Sequence, residues 1–335
     1  MKTRKTSIVL MLAAVSLLWI TGCTKSKTTG GALTATEVYQ TQNSDVQDAV
    51  ADKNESEIDN TLDQLQVSNY STSSLKDAPI LITRTITVDH PDSTTFPKTI
   101  TIVYNDYEDS TATESFVKNG EIDITVSLTS GNDQLVTRTM VFKNFSITTD
   151  STTVTVSGTR TVTRSSLKAK FNGFTSLRVT ATDNISANLS YAITKTGVSD
   201  SLKFTREVTK VRKTYLHYNN EGGLSWQTIR FKNVPAEDTI TWSGTVTGVN
   251  EKGETYTKTV SDSDPVTMTF YKGTPVLSAG TLHLTVEGTT SSSFTFTFQE
   301  DPDHPHMTLV TVTNDANGKT KSFDRKISRK FIRWW

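Results

Sequence analysis

The sequence predicts a mainly β protein, an extended antiparallel β-meander preceded by a short N-terminal helical pair. Three observations predict this fold class. Apolar and polar side chains alternate with a period of two from about Pro79 to Ile327, turn-forming residues separate the alternating runs, and threonine, which favours strands, is abundant. Hydrophobic residues make up only 34% of the chain, which suits sheets with a solvent-exposed face better than a thick double-layer core.

The clearest predicted strand covers residues 122–128. Its even positions are apolar and its odd positions polar, which places the apolar side chains on one face. Phenylalanine and threonine alternate in the same way at 294–298. The Asn-Gly pairs at 119–120, 172–173 and 317–318 suit the tight turns of β-hairpins. Strands that follow one another through short turns are expected to be antiparallel neighbours, not parts of βαβ units.

The N-terminal residues predict export and lipid attachment. A basic region, Met1–Lys5, precedes an apolar run, Ile8–Trp19, that is shorter than the roughly 20 residues of a transmembrane helix and typical of a signal peptide. Ile20-Thr21-Gly22-Cys23 then resembles the lipobox of bacterial lipoproteins. The resemblance implies cleavage after Gly22 and a diacylglycerol group on the Cys23 thiol. A plain signal peptide is the alternative, but Cys23 is the only cysteine of the chain, and lipidation accounts for it.

The residues after Cys23 bear on which membrane holds the protein. Thr24 stands where inner-membrane lipoproteins of enterobacteria carry a retention aspartate. The next residues, Lys25-Ser26-Lys27, are basic, unlike the acidic export signals of surface lipoproteins in Bacteroidota. The sequence therefore predicts a lipid anchor in the outer membrane, with the protein facing the periplasm.

The predicted organisation of the chain has four parts. Within the helical part, Glu55–Gln66 is the better-defined helix, with Asn54 as its N-cap and Glu57 at the capping-box position. A disordered stalk is the alternative for this part. The four parts are a signal peptide at 1–22, a lipidated flexible tether at 23–35, a helical segment at 36–70 and an antiparallel β region at 76–330.

Two segments of the β region resemble each other. Phe142-Lys143-Asn144 precedes Val154–Thr159, and Phe231-Lys232-Asn233 precedes Ile240–Thr245 in the same way. Convergence between threonine-rich strands is one explanation of the match. The other is a pair of related sheet segments, with halves at 76–165 and 166–330.

Short motifs follow one another in a fixed order along the mature chain: Pro97–Ile102, Lys118–Ile122, Val156–Thr163, Gly248–Tyr256 and Val310–Lys321. Their order and spacing resemble a family of uncharacterised lipoproteins of Bacteroidota. The resemblance implies lipid anchoring and an extended antiparallel sheet. It implies no activity and no catalytic residues.

No catalytic motif is evident in the sequence. The chain has no G-x-S-x-G elbow, no Gly-rich phosphate loop and no H-E-x-x-H pair, and its five histidines stand in no recognisable catalytic pattern. Basic and acidic residues are balanced at 35 each, without the basic stripe that nucleic-acid binding requires. Two carboxylates that are distant in sequence can still hydrolyse glycans, so that class stays open.

One short loop collects residues that can bind a metal ion. Asp301, Asp303, His304 and His306 fall together there, in a segment stiffened by two prolines. Carboxylates and imidazoles are ligands of zinc and other divalent metals. The sequence favours an ordinary polar hairpin loop, with no cofactor, and a zinc site is the alternative.

These observations support a hypothesis of function. The chain is expected to be a non-enzymatic, lipid-anchored protein of the cell envelope. It would contact the membrane through its lipid and bind a glycan or an envelope protein through a sheet face with exposed tryptophan and tyrosine side chains. The alternatives are a structural spacer and a carboxylate-based glycan hydrolase.

Overall fold

The computed structural model describes residues 27–29, 33–37, 40–41, 84–89, 95–110, 115–128, 136–149, 152–172, 176–195, 202–219, 237–249, 252–271, 274–288 and 291–325. These residues form sixteen β-strands in a single antiparallel sheet. In chain order the strands are β1 (Lys27–Thr29), β2 (Arg84–Val88), β3 (Lys98–Ser110), β4 (Ser115–Leu128), β5 (Val136–Thr149), β6 (Thr152–Asn172), β7 (Ser176–Lys195), β8 (Leu202–Asn219), β9 (Glu237–Val249), β10 (Thr255–Val260), β11 (Val266–Tyr271), β12 (Thr274–Ala279), β13 (Thr281–Glu287), β14 (Ser292–Glu300), β15 (Thr308–Asn314) and β16 (Thr320–Arg325).

The sheet is a meander over most of its width. From β2 to β10 each strand pairs with the next strand of the chain, and the same holds from β13 to β16. The β11–β12 hairpin leaves this path: β11 pairs with β9, while β10 pairs directly with β13. The short strands β1 and β2 lie at the two ends of the path. The predicted mainly β, antiparallel fold is therefore confirmed.

The alternation in the sequence produces one buried and one exposed face. Along β7, for example, Leu177, Leu189 and Tyr191 are buried, whereas Asn188 and Ser190 are exposed. Buried side chains from β3 to β15 form one continuous hydrophobic cluster on the core face. Burying an apolar side chain of this size stabilises the fold by about 1.5–3 kcal/mol. The predicted strand at 122–128 belongs to β4, with Ile122 and Ile124 in the cluster.

Three of the tyrosines lie in the core rather than on the solvent-exposed face. Tyr104, Tyr191 and Tyr256 are all buried, and Tyr191 stacks on Phe204 with ring centroids 4.8 Å apart. Trp242 packs against a second, smaller hydrophobic cluster. These side chains therefore do not contribute to an exposed aromatic face. Large aromatic groups contribute most to stability where their surface is buried.

The Asn119-Gly120 pair, predicted to form a hairpin turn, lies inside β4 instead. Gly120 has a φ of +95°, and the pairing of β4 with β5 shifts register there through a β-bulge. A Cβ on Gly120 would lie 2.3 Å from the carbonyl oxygen of Asn144. A bulge and a turn both require a positive φ, so the same residues mark either. At Asn317-Gly318 the predicted turn is confirmed, between β15 and β16.

The residues near the N-terminus join the sheet at its β16 edge. Strand β1, Lys27–Thr29, lies within the predicted tether and pairs with β16. Residues 35–37 and 40–41 are helical, and Thr34 and Glu37 bond each other's backbone N–H groups in a capping box. The rest of the predicted helical segment, including Glu55–Gln66, lies outside the described residues. No helix within the described ranges has the length and apolar character needed to cross a bilayer.

The repeated Ser-Gly-Thr motifs of β6 and β9 adopt the same backbone conformation. The φ angle is +124° at Gly158 and +122° at Gly244. At both positions the backbone of a neighbouring strand, β7 at Gly158 and β8 at Gly244, comes so close that only glycine fits. A Cβ would lie 2.2 Å from the Asn188 carbonyl oxygen in the first case and 2.1 Å from that of Thr209 in the second. The sequence similarity of the two segments thus has a structural counterpart.

Candidate functional site

The solvent-exposed face carries a shallow depression across β5 to β9, which we call the outer depression. Its volume is about 420 Å³. The polar side chains that line it are Asn144, Thr155, Ser157, Ser190, Lys203 and Thr205.

The outer depression exists because small side chains meet across three strands. Ser190 of β7 lies opposite Ser157 of β6 and Thr205 of β8. Asn144 borders the depression from β5, where a φ of 53° and a register shift mark a bulge. Its side-chain oxygen accepts a hydrogen bond from the Ser157 hydroxyl at 3.4 Å. The site therefore offers hydroxyl, amide and ammonium groups, which together donate and accept hydrogen bonds.

A second candidate site lies in the loop between β14 and β15. The loop is closed by a hydrogen bond from the Asp301 N–H to the Met307 carbonyl oxygen at 2.9 Å. Oδ1 of Asp301 accepts a hydrogen bond from the Asp303 N–H at 2.9 Å, and its Oδ2 lies 2.6 Å from His304 Nδ1. The backbone of the loop thus fixes the carboxylate of Asp301 so that it faces His304.

Asp324 of β16 completes this group, which we call the Asp301–His304–Asp324 cluster. Pairing of β15 with β16 sets Asp324 opposite Leu309, beside the loop. Oδ2 of Asp324 lies 3.6 Å from His304 Nδ1. One potential ligand atom from each of the three residues lies within 4.8 Å of the others. Asp301 and Asp324 are 4% and 6% exposed, whereas the His304 side chain is 48% exposed.

Two of the four candidate metal ligands from the sequence belong to this cluster. Asp301 and His304 meet as the loop pattern predicts, whereas Asp303 and His306 are exposed and lie outside it. The backbone N–H of Asp303 donates to Oδ1 of Asp301. Asp324 was not predicted, because nothing in its local sequence distinguishes it from other strand residues. Only the register of β16 against β15 brings it to the loop.

The charge of Asp301 follows from its surroundings. Burial raises the pKa of this carboxyl, but the hydrogen bonds from the Asp303 N–H and the His304 ring help to outweigh burial and lower the pKa below its ordinary value. Asp301 is therefore an anion at neutral pH. The cluster thus combines a buried negative charge with a half-exposed imidazole.

A third group of charged side chains lies on the core face, and its members already form ion pairs with one another. Asp183 of β7 is 1% exposed and sits between Arg164 of β6 and Arg212 of β8. Its Oδ1 accepts a hydrogen bond from Arg164 Nε at 2.8 Å, and its Oδ2 accepts one from Arg212 Nη2 at 2.9 Å. A carboxylate held by two guanidinium groups has little capacity left for a ligand, so this group joins three strands and offers no binding site.

Comparison of the chain with protein-family models, with curated proteins and with solved structures finds no match in any of the three. The predicted signal peptide at 1–22 and the lipidation site at Cys23 lie outside the described residues. Both stay predictions.

Proposed function

We propose that this chain is a lipid-anchored protein of the bacterial outer membrane, facing the periplasm, that binds a glycan in the outer depression without catalysing a reaction. The observation that carries the proposal is the set of polar side chains that converge in the depression, within a lining whose exposed surface is mostly apolar. Sugars present many hydroxyl groups, and the Ser, Thr and Asn side chains that converge there can donate to them and accept from them.

The chemistry of the lining favours binding over hydrolysis. Glycoside hydrolysis by the usual mechanism needs two carboxyl groups on either side of the scissile bond. Among the described residues that line the outer depression there is no carboxylate. Tyr191 and Phe204 border it, but both side chains are buried and stacked on each other. Hydrogen bonds, not ring stacking, would therefore hold the sugar.

Replacing Ser190 by Tyr is expected to weaken glycan binding at least tenfold, because the larger side chain fills the depression. A glycan array with the full mature protein would identify the ligand, and calorimetry would compare the variants. Thr180→Tyr is the matched control. Thr180 is exposed on the same face of β7, roughly 30 Å along the strand from Ser190. Equal binding by the Ser190→Tyr variant and the wild type would count against the site.

The array also separates the proposal from its alternatives. If no glycan binds and an envelope protein copurifies after crosslinking in the native organism, the face is a protein-binding surface. If neither is found, a structural spacer is the better explanation. Release of product from a labelled polysaccharide would support the hydrolase class instead.

Replacing Cys23 by Ser is expected to release the protein from the membrane fraction. Without the thiol no diacylglycerol can be attached, and the acyl chains supply the membrane affinity. Metabolic labelling with palmitate, followed by membrane fractionation, measures both steps. Cys23 is the only cysteine of the chain, so any label is assigned without ambiguity. Labelling that persists in the Cys23→Ser variant would contradict the predicted lipobox.

A further inference from the structure

The Asp301–His304–Asp324 cluster lies apart from the outer depression and plays no part in the proposed function. Its donors come from two elements, the β14–β15 loop and the last strand, β16. Two of the three side chains are more than nine-tenths buried, and the third connects them to solvent. The cluster is therefore largely shielded from solvent and open to it through His304.

The two carboxylates have a like charge in a poorly solvated place. Burying a carboxylate is costly unless a cation or hydrogen bonds compensate for it, and two adjacent carboxylates cannot both be ionised without a counter-charge. His304 faces both carboxylates, with Nδ1 2.6 Å from Oδ2 of Asp301 and 3.6 Å from Oδ2 of Asp324. A divalent cation held by all three side chains would compensate for the burial of both carboxylates.

The spacing of the donors is close to that of a metal site. Zinc binds nitrogen and carboxylate oxygen at about 2.0–2.2 Å, so two ligands of one ion lie within roughly 4.4 Å of each other. The donor atoms of the cluster lie within 4.8 Å. His304 Nδ1 already lies within that limit of both carboxylates, at 2.6 Å from Asp301 and 3.6 Å from Asp324.

We propose that Asp301, His304 and Asp324 form a binding site for a divalent transition-metal cation, for which zinc is the best chemical match. One imidazole and two carboxylates are a ligand set that zinc accepts, whereas calcium takes six to eight ligands that are all oxygen. Three protein ligands leave a position for water. The ion would connect the loop that contains Asp301 and His304 to β16 and would stabilise this end of the sheet.

Zinc titration of the full mature protein, lipidated and in detergent, tests the proposal by calorimetry. The lipidated Cys23 offers no thiol to the metal. The expected result is one zinc ion bound per chain at micromolar concentration or tighter, with a zinc-dependent rise in Tm. The substitutions Asp324→Asn and His304→Ala are expected to weaken binding at least tenfold and to abolish the rise in Tm.

The same loop provides matched controls. Asp303→Asn and His306→Ala change the same residue types within a few positions, but both side chains are exposed and lie outside the cluster. They are expected to leave zinc affinity unchanged. If Asp324→Asn does not fold, the His304→Ala variant still tests the proposal, because the His304 side chain is half-exposed. The proposal is overturned by an absence of zinc binding, by a loss of affinity in the control variants equal to that of the cluster variants, or by tighter binding of calcium than of zinc.

Discussion

Replacing Asp183 by Ala is expected to lower the free energy of unfolding by about 3–5 kcal/mol, because it leaves two guanidinium groups without their buried counter-charge. Asp183 holds Arg164 and Arg212 at 2.8 Å and 2.9 Å, and the three residues belong to adjacent strands. The loss therefore affects the centre of the meander. Urea denaturation of the wild type and the variant measures the change. The comparison requires that the free energy of unfolding falls with urea concentration at the same slope in both proteins.

The matched control is an ion pair on the exposed face. Asp123 contacts Lys143 Nζ at 2.6 Å, a distance as short as those around Asp183. Water screens this pair, since half of the Lys143 side chain is exposed. Asp123→Ala is therefore expected to change stability far less than Asp183→Ala. Similar effects of the two substitutions would show that burial of the Asp183 group does not determine its contribution to the free energy of unfolding.

The pH dependence of stability gives the Asp183 prediction a second readout. Burial raises the pKa of Asp183, but hydrogen bonds and charges from Arg164 and Arg212 outweigh it, so the pKa lies below the ordinary 3.8. A carboxyl whose pKa is lower in the folded protein than in the unfolded chain stabilises the fold. This contribution is complete above the pKa of the unfolded state and is lost as the pH falls through the pKa of the folded state. The stability difference between wild type and Asp183→Ala should therefore be constant near neutrality and shrink below about pH 4.

The fold was predictable because its main signal is local. Alternation at 122–128 identifies the buried face of β4 without knowledge of any other strand, and short connections make neighbours in sequence neighbours in space. The Asn119-Gly120 bulge was missed because the same two residues also suit a turn. Whether a glycine with positive φ ends a strand or interrupts it depends on the partner strand, here β5, and not on the glycine.

The Asp301–His304–Asp324 cluster was only partly predictable, for the same physical reason. Asp301 and His304 belong to one loop, so their proximity follows from the local sequence. Asp324 reaches them through the register of two strands, and a shift by one residue would turn its side chain to the other face. The outer depression depends on the alignment of Ser157, Ser190 and Thr205 across β6 to β8 and was equally invisible in the sequence.

Replacing Gly158 by Ala is expected to lower the free energy of unfolding by about 3 kcal/mol or more. A non-glycine residue in such a conformation costs of order 1–3 kcal/mol in backbone strain. The new Cβ would also lie 2.2 Å from the Asn188 carbonyl oxygen. Because that atom is backbone, β6 and β7 must separate locally, and each ladder hydrogen bond that is lost adds about 1 kcal/mol. Urea denaturation measures the total.

Two other glycines test this explanation of the Gly158 effect. Gly318 also has a positive φ, +67°, but nothing lies within 4 Å of the place that its Cβ would occupy. Gly318→Ala should therefore show only the backbone strain, about 1–2 kcal/mol. Gly244 has both the positive φ and the close carbonyl, that of Thr209 at 2.1 Å, so Gly244→Ala should match Gly158→Ala. If Gly244→Ala instead resembles Gly318→Ala, the close approach of the neighbouring strand does not constrain these positions, and the similarity of the two Ser-Gly-Thr motifs is better explained by convergence.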